Sequence, residues 1–205
     1  QAHGFHFYKG APKKNWLIYY PIEKWLAKYT DALITINNED YGLAKSKFQL
    51  RHNGKVYYVP GVGIDLSQYD LPDGIREKKR AELGLKETDI VLISSGELNE
   101  NKNNQIIIQA LSKLRHESLH YIICGTGSKY DELKKMTSDN GLDDYILFLG
   151  YRNDIKELYR ASDIFVMPSL REGLSRSIME AMASGLPCVV SNIRGNVDLI
   201  RNKKG

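Results

Sequence analysis

From Ile90 to Ser191 the sequence repeats one pattern: a short apolar run, a polar or glycine-bearing loop, then a helical stretch. The apolar runs are Ile90 to Ser94, His120 to Cys124, Ile146 to Leu149, Ile164 to Met167 and Cys188 to Ser191. Between them lie the expected helices Asn104 to Leu114, Lys129 to Asn140, Asp154 to Ala161 and Ser177 to Ser184. Strands alternating with helices dictate α/β architecture with a doubly wound, Rossmann-like parallel sheet. In such a sheet ligands bind beyond the carboxyl ends of the strands. Functional residues are therefore sought in the loops that follow each apolar run.

The 205 residues suffice for one large or two small domains. A formal charge of +4 permits an anionic ligand or an anionic membrane surface and demands neither. Cys124 and Cys188 stand in apolar strand contexts outside any C-x-x-C, which predicts reduced buried thiols. No apolar run reaches membrane-spanning length and no signal peptide opens the sequence, so a cytoplasmic address is expected.

The first part of the chain is read as a helical segment over Lys13 to Tyr29, interrupted early by Pro21. Its aromatic residues, interleaved with Lys9, Lys13, Lys14, Lys24 and Lys28, fit a membrane interface. They also fit a core-packed helix with a solvated face, the reading favoured here. Ala32 to Ile36 and Val56 to Val59 read as strands around a helix, Glu39 to Phe48. Pro60 to Asp65 is turn-rich and Ser67 to Gly74 polar without periodicity. The expected domains are therefore 1–60 and 75–205, joined by a linker over 61–74.

The stretch PSLREGLSRSIMEAMASGLPCVVSN, Pro168 to Asn192, carries the chemistry most directly. Glu172-Gly173 occupies the loop before a short helix, where backbone N–H groups and the positive dipole end favour an anion. Glu180 is the only acid inside that helix, whose neighbours Ile178, Met179, Ala181, Met182 and Ala183 predict burial. Phosphates could sit on the amides from Gly173 through Leu174 to Ser175, with Glu172 and Glu180 accepting from hydroxyls on either side. A nucleotide-sugar has that shape: hydroxyl-rich rings flanking a diphosphate. The plainer alternative is an exposed Glu172 and a Glu180 paired with Arg176 one turn earlier.

Glu172 to Glu180 is also an E-x7-E pair, and its setting, PS…EG…EAMASGLPCV, closely resembles the retaining GT-B glycosyltransferases of family 4. The resemblance covers nearly the whole chain. It implies a GT-B fold in which residues 75–205 belong to the nucleotide-sugar donor domain and 1–60 to the last part of the acceptor-side domain. The intact enzyme would transfer a hexose or N-acetylhexosamine from a UDP-sugar to a lipid-linked or saccharide acceptor, with retention, as bacterial capsular and exopolysaccharide enzymes do. Glu180 would grip the ribose and Glu172 the transferred sugar. No cofactor and no metal are expected, since no D-x-D stands where a metal-dependent site would need it. No nucleic-acid partner is implied, and contact with the inner face of the membrane would be peripheral. This polypeptide by itself is expected to bind UDP-sugar weakly and transfer nothing. A nucleotide-sugar-binding module without catalysis, or another GT-B enzyme such as an epimerase, is the rival reading.

Three further loops follow the same logic. Ser95 to Asn103 keeps Gly96, Leu98, Lys102 and Asn103 of the family's G-R-L…K-N segment, with Lys102 placed to meet a donor phosphate. Glu97 stands where the family commonly has Arg, and Arg176 can partly replace that second cation. Gly125-Thr126-Gly127 resembles the family's I-x-G-x-G, where the loop borders the nucleotide. Gly150-Tyr151-Arg152 resembles its F-L-G segment, which puts Tyr151 or Arg152 near the base. His3 resembles the acceptor-side histidine of many GT-B enzymes, with His6 the lesser candidate.

Overall fold

The computed structural model describes residues 4–61, 63–114 and 116–200. The described residues fall into two compact units. One comprises the described parts of Gln1–Gly63, Glu172–Ser175 and Asn192–Lys204, the other Ile64–Arg171 and Arg176–Ser191.

The first unit contains α1 (Lys13–Ala27), β1 (Ala32–Thr35), α2 (Asn38–Lys47) and β2 (Lys55–Tyr58). β1 and β2 pair in parallel, Ala32 opposite Lys55 and Thr35 opposite Tyr58. Phe5, Phe7 and Ala44 form the buried core, with Trp16, Tyr20, Leu33 and Phe48 packed around them. Asn37 caps α2 by accepting from the Asp40 N–H at 2.9 Å. The buried Asp40 then accepts from Phe5 N–H and from Arg194, at 3.0 and 2.7 Å.

Two expectations for this region need correction. α1 runs unbroken through Pro21. Proline removes one helical hydrogen bond, but Pro21 and Leu17 are both exposed, so water can satisfy the orphaned carbonyl. Nor is α1 packed into a core: only Ala27 is buried, and Leu17, Ile18, Ile22, Trp25 and Leu26 are exposed. Trp16 and Tyr20 alone turn towards the Phe7 cluster.

The second unit contains α3 (Ile75–Glu82), β3 (Ile90–Ser95), α4 (Gln105–Leu114), β4 (Leu119–Cys124), α5 (Tyr130–Asp139), β5 (Ile146–Gly150), α6 (Ile155–Ala161), β6 (Ile164–Met167), α7 (Arg176–Ala183) and β7 (Cys188–Val190). Its five strands pair in the order β5-β4-β3-β6-β7, all parallel. Sequence order therefore reverses between β3 and β6, which makes their carboxyl ends the switch point where ligands collect. Tyr121, Ile123, Val166, Ile108 and Leu133 form a core between sheet and helices. A short helix, α8 (Asn196–Leu199), was not expected from the sequence and belongs to the first unit.

Charged side chains lock α3 onto this sheet. Arg80 is fully buried and donates to the carbonyls of Ala161, Lys86, Glu87 and Asp89 and to Asp163. Asp163 also accepts from Arg76 and from Val91 N–H, each at 2.7 Å. Burial pushes the Asp163 carboxyl up, but Arg76, the Val91 amide and Arg80 together hold it below the usual carboxylate range. Arg80→Ala should cost about 3–5 kcal/mol in urea denaturation, because it strands a carboxylate and several carbonyls. Because the folded pKa of Asp163 is depressed, its contribution is present above the unfolded value and lost as pH falls through the folded one. The stability gap between parent and Asp163→Asn should therefore shrink below about pH 4.

Candidate functional site

Three loops meet beyond the carboxyl ends of β3, β4 and β5, and backbone hydrogen bonds stitch them together. Gly96 N–H donates to Cys124 O at 3.0 Å, Leu98 N–H to Thr126 O at 2.9 Å and Gly125 N–H to Gly150 O at 2.7 Å. The approach is too close for side chains. A Cβ on Gly125 would stand 1.9 Å from Gly96 O, and one on Gly127 would stand 2.3 Å from Leu98 O. Both glycines also hold positive φ, at 139° and 156°.

A cavity of about 440 Å³ opens above this floor. Its walls are Ser95, Gly96 and Glu97 after β3, Cys124, Gly125 and Thr126 after β4, Tyr151 and Arg152 after β5, Ile155 on α6 and Glu180 on α7. Six of the residues expected from the sequence thus converge: Gly96, Glu97, Gly125, Tyr151, Arg152 and Glu180. A smaller cavity of about 240 Å³, by Leu119 and Tyr145, lies at the opposite, amino-terminal end of β4.

Lys102 folds back over the glycine loop. A Cβ on Gly96 would meet its Cε at 3.3 Å and its Nζ at 3.8 Å, so the ammonium stands beside a residue of the cavity wall. Tyr151 is 78% exposed and presents an open aromatic face. Arg152 is held from behind, its guanidinium donating to both Asp154 oxygens at 2.7 and 2.6 Å and weakly to Glu82 at 3.4 Å. Arg152, opposed by burial and then aided by Lys79, keeps the Asp154 carboxyl well below the usual range.

Glu180 combines both sequence-based alternatives. Its side chain is 16% exposed and lines the cavity, and it also accepts from Arg176 Nε at 2.8 Å. Arg176 itself is 73% exposed. α7 is less buried than its composition suggested, with Ile178 and Ala181 inside and Met182 at the surface. The cavity wall has no reactive thiol, because burial pushes Cys124 up to about 12. Cys188, also free, is pushed up to about 11 by burial.

Glu172, Gly173, Leu174 and Ser175 belong to the first unit. There the Gly173 backbone packs against two glycines: a Cβ on Gly195 would stand 2.2 Å from Gly173 O, and one on Gly4 would stand 3.5 Å from its Cα. Arg194 closes the cluster by donating to Asp40 at 2.7 Å and to Phe5 O at 3.1 Å. His3 lies outside the described residues. His6 is exposed and stacks on Tyr19 with ring centroids 4.6 Å apart.

Ser95, Cys124, Thr126 and Ile155 were not singled out from the sequence. Ser95 and Cys124 end their strands and could have been taken from that position alone. Ser95 is fixed by the Tyr159 hydroxyl at 2.6 Å, a pairing no spacing rule reveals. Gly125→Ala should cost at least about 1–3 kcal/mol by thermal or urea unfolding, since it combines a strained φ with a backbone clash.

A family model described as "Glycosyl transferases group 1" matches residues 75–205. The Bacillus subtilis (strain 168) protein EpsD, named as a glycosyltransferase, is 38% identical over 204 residues, covering 98% of this chain and 53% of its own length. The Escherichia coli UDP-Gal:alpha-D-GlcNAc-diphosphoundecaprenol alpha-1,3-galactosyltransferase is 35% identical over 207 residues, with coverage of 98% and 53%. The chain thus spans about half the length of these curated relatives. Anabaena Alr3699/HepE, solved in complex with UDP and glucose, superposes with a TM-score of 0.80 at 24% identity, covering 98% of this chain and 54% of that one. The fold is of the GT-B type. The chain belongs to the glycosyl transferases group 1 family.

Proposed function

We propose that the second unit is the donor-binding part of a retaining glycosyltransferase that moves a hexose or N-acetylhexosamine from a UDP-sugar. The observation that carries this reading is the cavity at the switch point, with a glycine floor, Lys102 at its edge and the Glu180 carboxylate in its wall. Lys102 offers a point charge to a diphosphate and Arg176 a second one. Such groups stabilise the leaving diphosphate as charge develops on it, and fixing both ends of the donor supplies the positioning. In this reading Glu180 accepts from the ribose, Tyr151 borders the base and Glu172 holds the transferred sugar. His3 belongs to the acceptor side. In this reading 75–205 hold the donor domain, 61–74 the linker and 1–60 part of the acceptor-side domain, while 172–175 and the described part of 192–204 cluster with the first unit and 64–74 with the second. No metal is required by this scheme.

The acceptor in this reading is a lipid-linked saccharide of bacterial surface-polysaccharide synthesis, met at the inner membrane face. Two observations support it. The name of the Escherichia coli relative specifies a diphosphoundecaprenol acceptor. In addition, α1 exposes Ile18, Ile22 and Trp25 at helical spacing beside Lys14 and Lys24, with Lys28 and Tyr29 exposed just past its end, the pattern of an interfacial helix. Among the described residues no helix is long and apolar enough to cross a membrane, so contact would be along the surface. Binding of nucleotide-sugar without turnover is the second reading for this polypeptide, which spans about half the length of its relatives.

Two measurements test these statements. Lys102→Ala should weaken UDP by about 1.5–3 kcal/mol in calorimetry and uridine hardly at all, because a charge-assisted bond to phosphate is lost. Equal losses for both ligands would remove Lys102 from the phosphate site. The chain should also sediment with phosphatidylglycerol vesicles more than with phosphatidylcholine vesicles, with a blue shift in tryptophan emission. Absence of both effects would remove α1 as a membrane surface.

A further inference from the structure

At a topological switch point the loops after the two central strands part, and a crevice opens between them. Here those strands are β3 and β6, and the crevice is bridged beside Lys102. The Asn101 carbonyl accepts from Leu170 N–H at 2.8 Å, and Asn101 Nδ2 donates to Arg171 O, also at 2.8 Å. Asn103 Nδ2 donates to Pro168 O at 3.3 Å. The residues before and after Lys102 thus both reach carbonyls of the segment that follows β6. Lys102 lies along the same segment, its Nζ 3.9 Å from Met167 Sδ.

The other end of the loop is tied towards β4. Leu98 O accepts from Lys129 N–H at 2.9 Å, and Lys129 Nζ pairs with Glu100 at 2.8 Å. The Asn99 carboxamide oxygen then accepts from Lys102 N–H at 3.1 Å, which turns the chain back. Asn103 holds φ at 55°, a left-handed conformation that asparagine tolerates better than most residues, so its backbone alone gives it a place. Asn101 meets no such backbone demand. Its carboxamide contributes the bond across the crevice. An ammonium acts as a point charge, so its effect on a phosphate depends on where the backbone carries it.

We propose that Asn101 is a positioning residue for the diphosphate end of the nucleotide site: by stapling the loop after β3 to the Leu170–Arg171 backbone, it sets where Lys102 presents its ammonium. The proposal rests on the reading of the cavity as a nucleotide site with Lys102 at its phosphate end. It adds to that reading a residue that acts through its neighbour and touches no ligand. An asparagine that only stabilised the fold would not distinguish a ligand with phosphates from one without.

The test is a calorimetric titration of the 205-residue chain with UDP and with uridine. Asn101→Ala removes the bond to Arg171 O and should weaken UDP about 2- to 10-fold while leaving uridine unchanged. Asn101→Leu keeps the bulk without the donor and should lose as much. Asn103→Gly keeps the left-handed backbone and gives up only the longer bond, so its loss should be smaller. In a Lys102→Ala background, Asn101→Ala should add nothing, because the group it places is gone. Asn101 is half-buried, so both replacements leave the core untouched. Unchanged UDP affinity, a loss confined to Asn101→Ala, equal losses for UDP and uridine, or full additivity with Lys102→Ala would overturn the role of Asn101. If Lys102→Ala itself weakens both ligands equally, or UDP does not bind, the nucleotide reading falls and this proposal with it.

Discussion

The cavity depends on a contact between two backbones. Gly125 lies so close to the Gly96 carbonyl that any side chain would collide, and Gly127 stands in the same relation to Leu98. These contacts let the loops after β3 and β4 share hydrogen bonds, so the floor of the site is backbone stitched to backbone. Such a floor is ordered without freezing side-chain rotamers, because its Gly96, Leu98 and Gly125 amides are spent on the stitching itself. The parallel sheet beneath fixes the spacing of the strands and hence of the loops, while their glycines let the loops close.

Much of the second unit was legible in the sequence. Its strands are continuous apolar runs because both faces are covered, and its helices carry the longer period between them. Glycine after a strand gave the right loops, since a tight strand-to-helix turn with close approach can be met by few other residues. Glu180 was legible as the single acid among apolar neighbours. The alternatives offered for it, a cavity carboxylate and a partner of Arg176, proved compatible, because its two oxygens can serve different neighbours.

Other features were illegible for identifiable reasons. Lys79 and Arg80 lie on a short helix rich in charge, α3, yet both are buried. Their partners Asp154, Glu157 and Asp163 stand more than seventy residues away in sequence, a pairing that only the tertiary fold creates. The same network keeps Arg152 engaged with Asp154, so a residue picked for its place after β5 is half spoken for by its own loop. α1 failed in the opposite direction: its apolar pattern predicted a core, whereas only Trp16 and Tyr20 found one. Periodicity identifies an apolar face but carries no information on what covers it.

Gly96 and Lys102 show how a glycine can select a neighbouring side chain. Gly96 holds φ at 142°, and the lysine stem lies where a Cβ would press against it at 3.3 Å. Removing the side chain at 96 therefore does two things at once: it permits the backbone turn, and it opens the groove in which the Lys102 stem rests. A lysine has many rotamers in solution, and confining one costs up to about 2 kcal/mol. A groove formed by the fold meets part of that cost before any ligand arrives. The cation is then held beside Gly96, a residue of the cavity wall. Glu97 follows Gly96 in the same wall, so Lys102 supplies the one positive charge of the 95–103 loop.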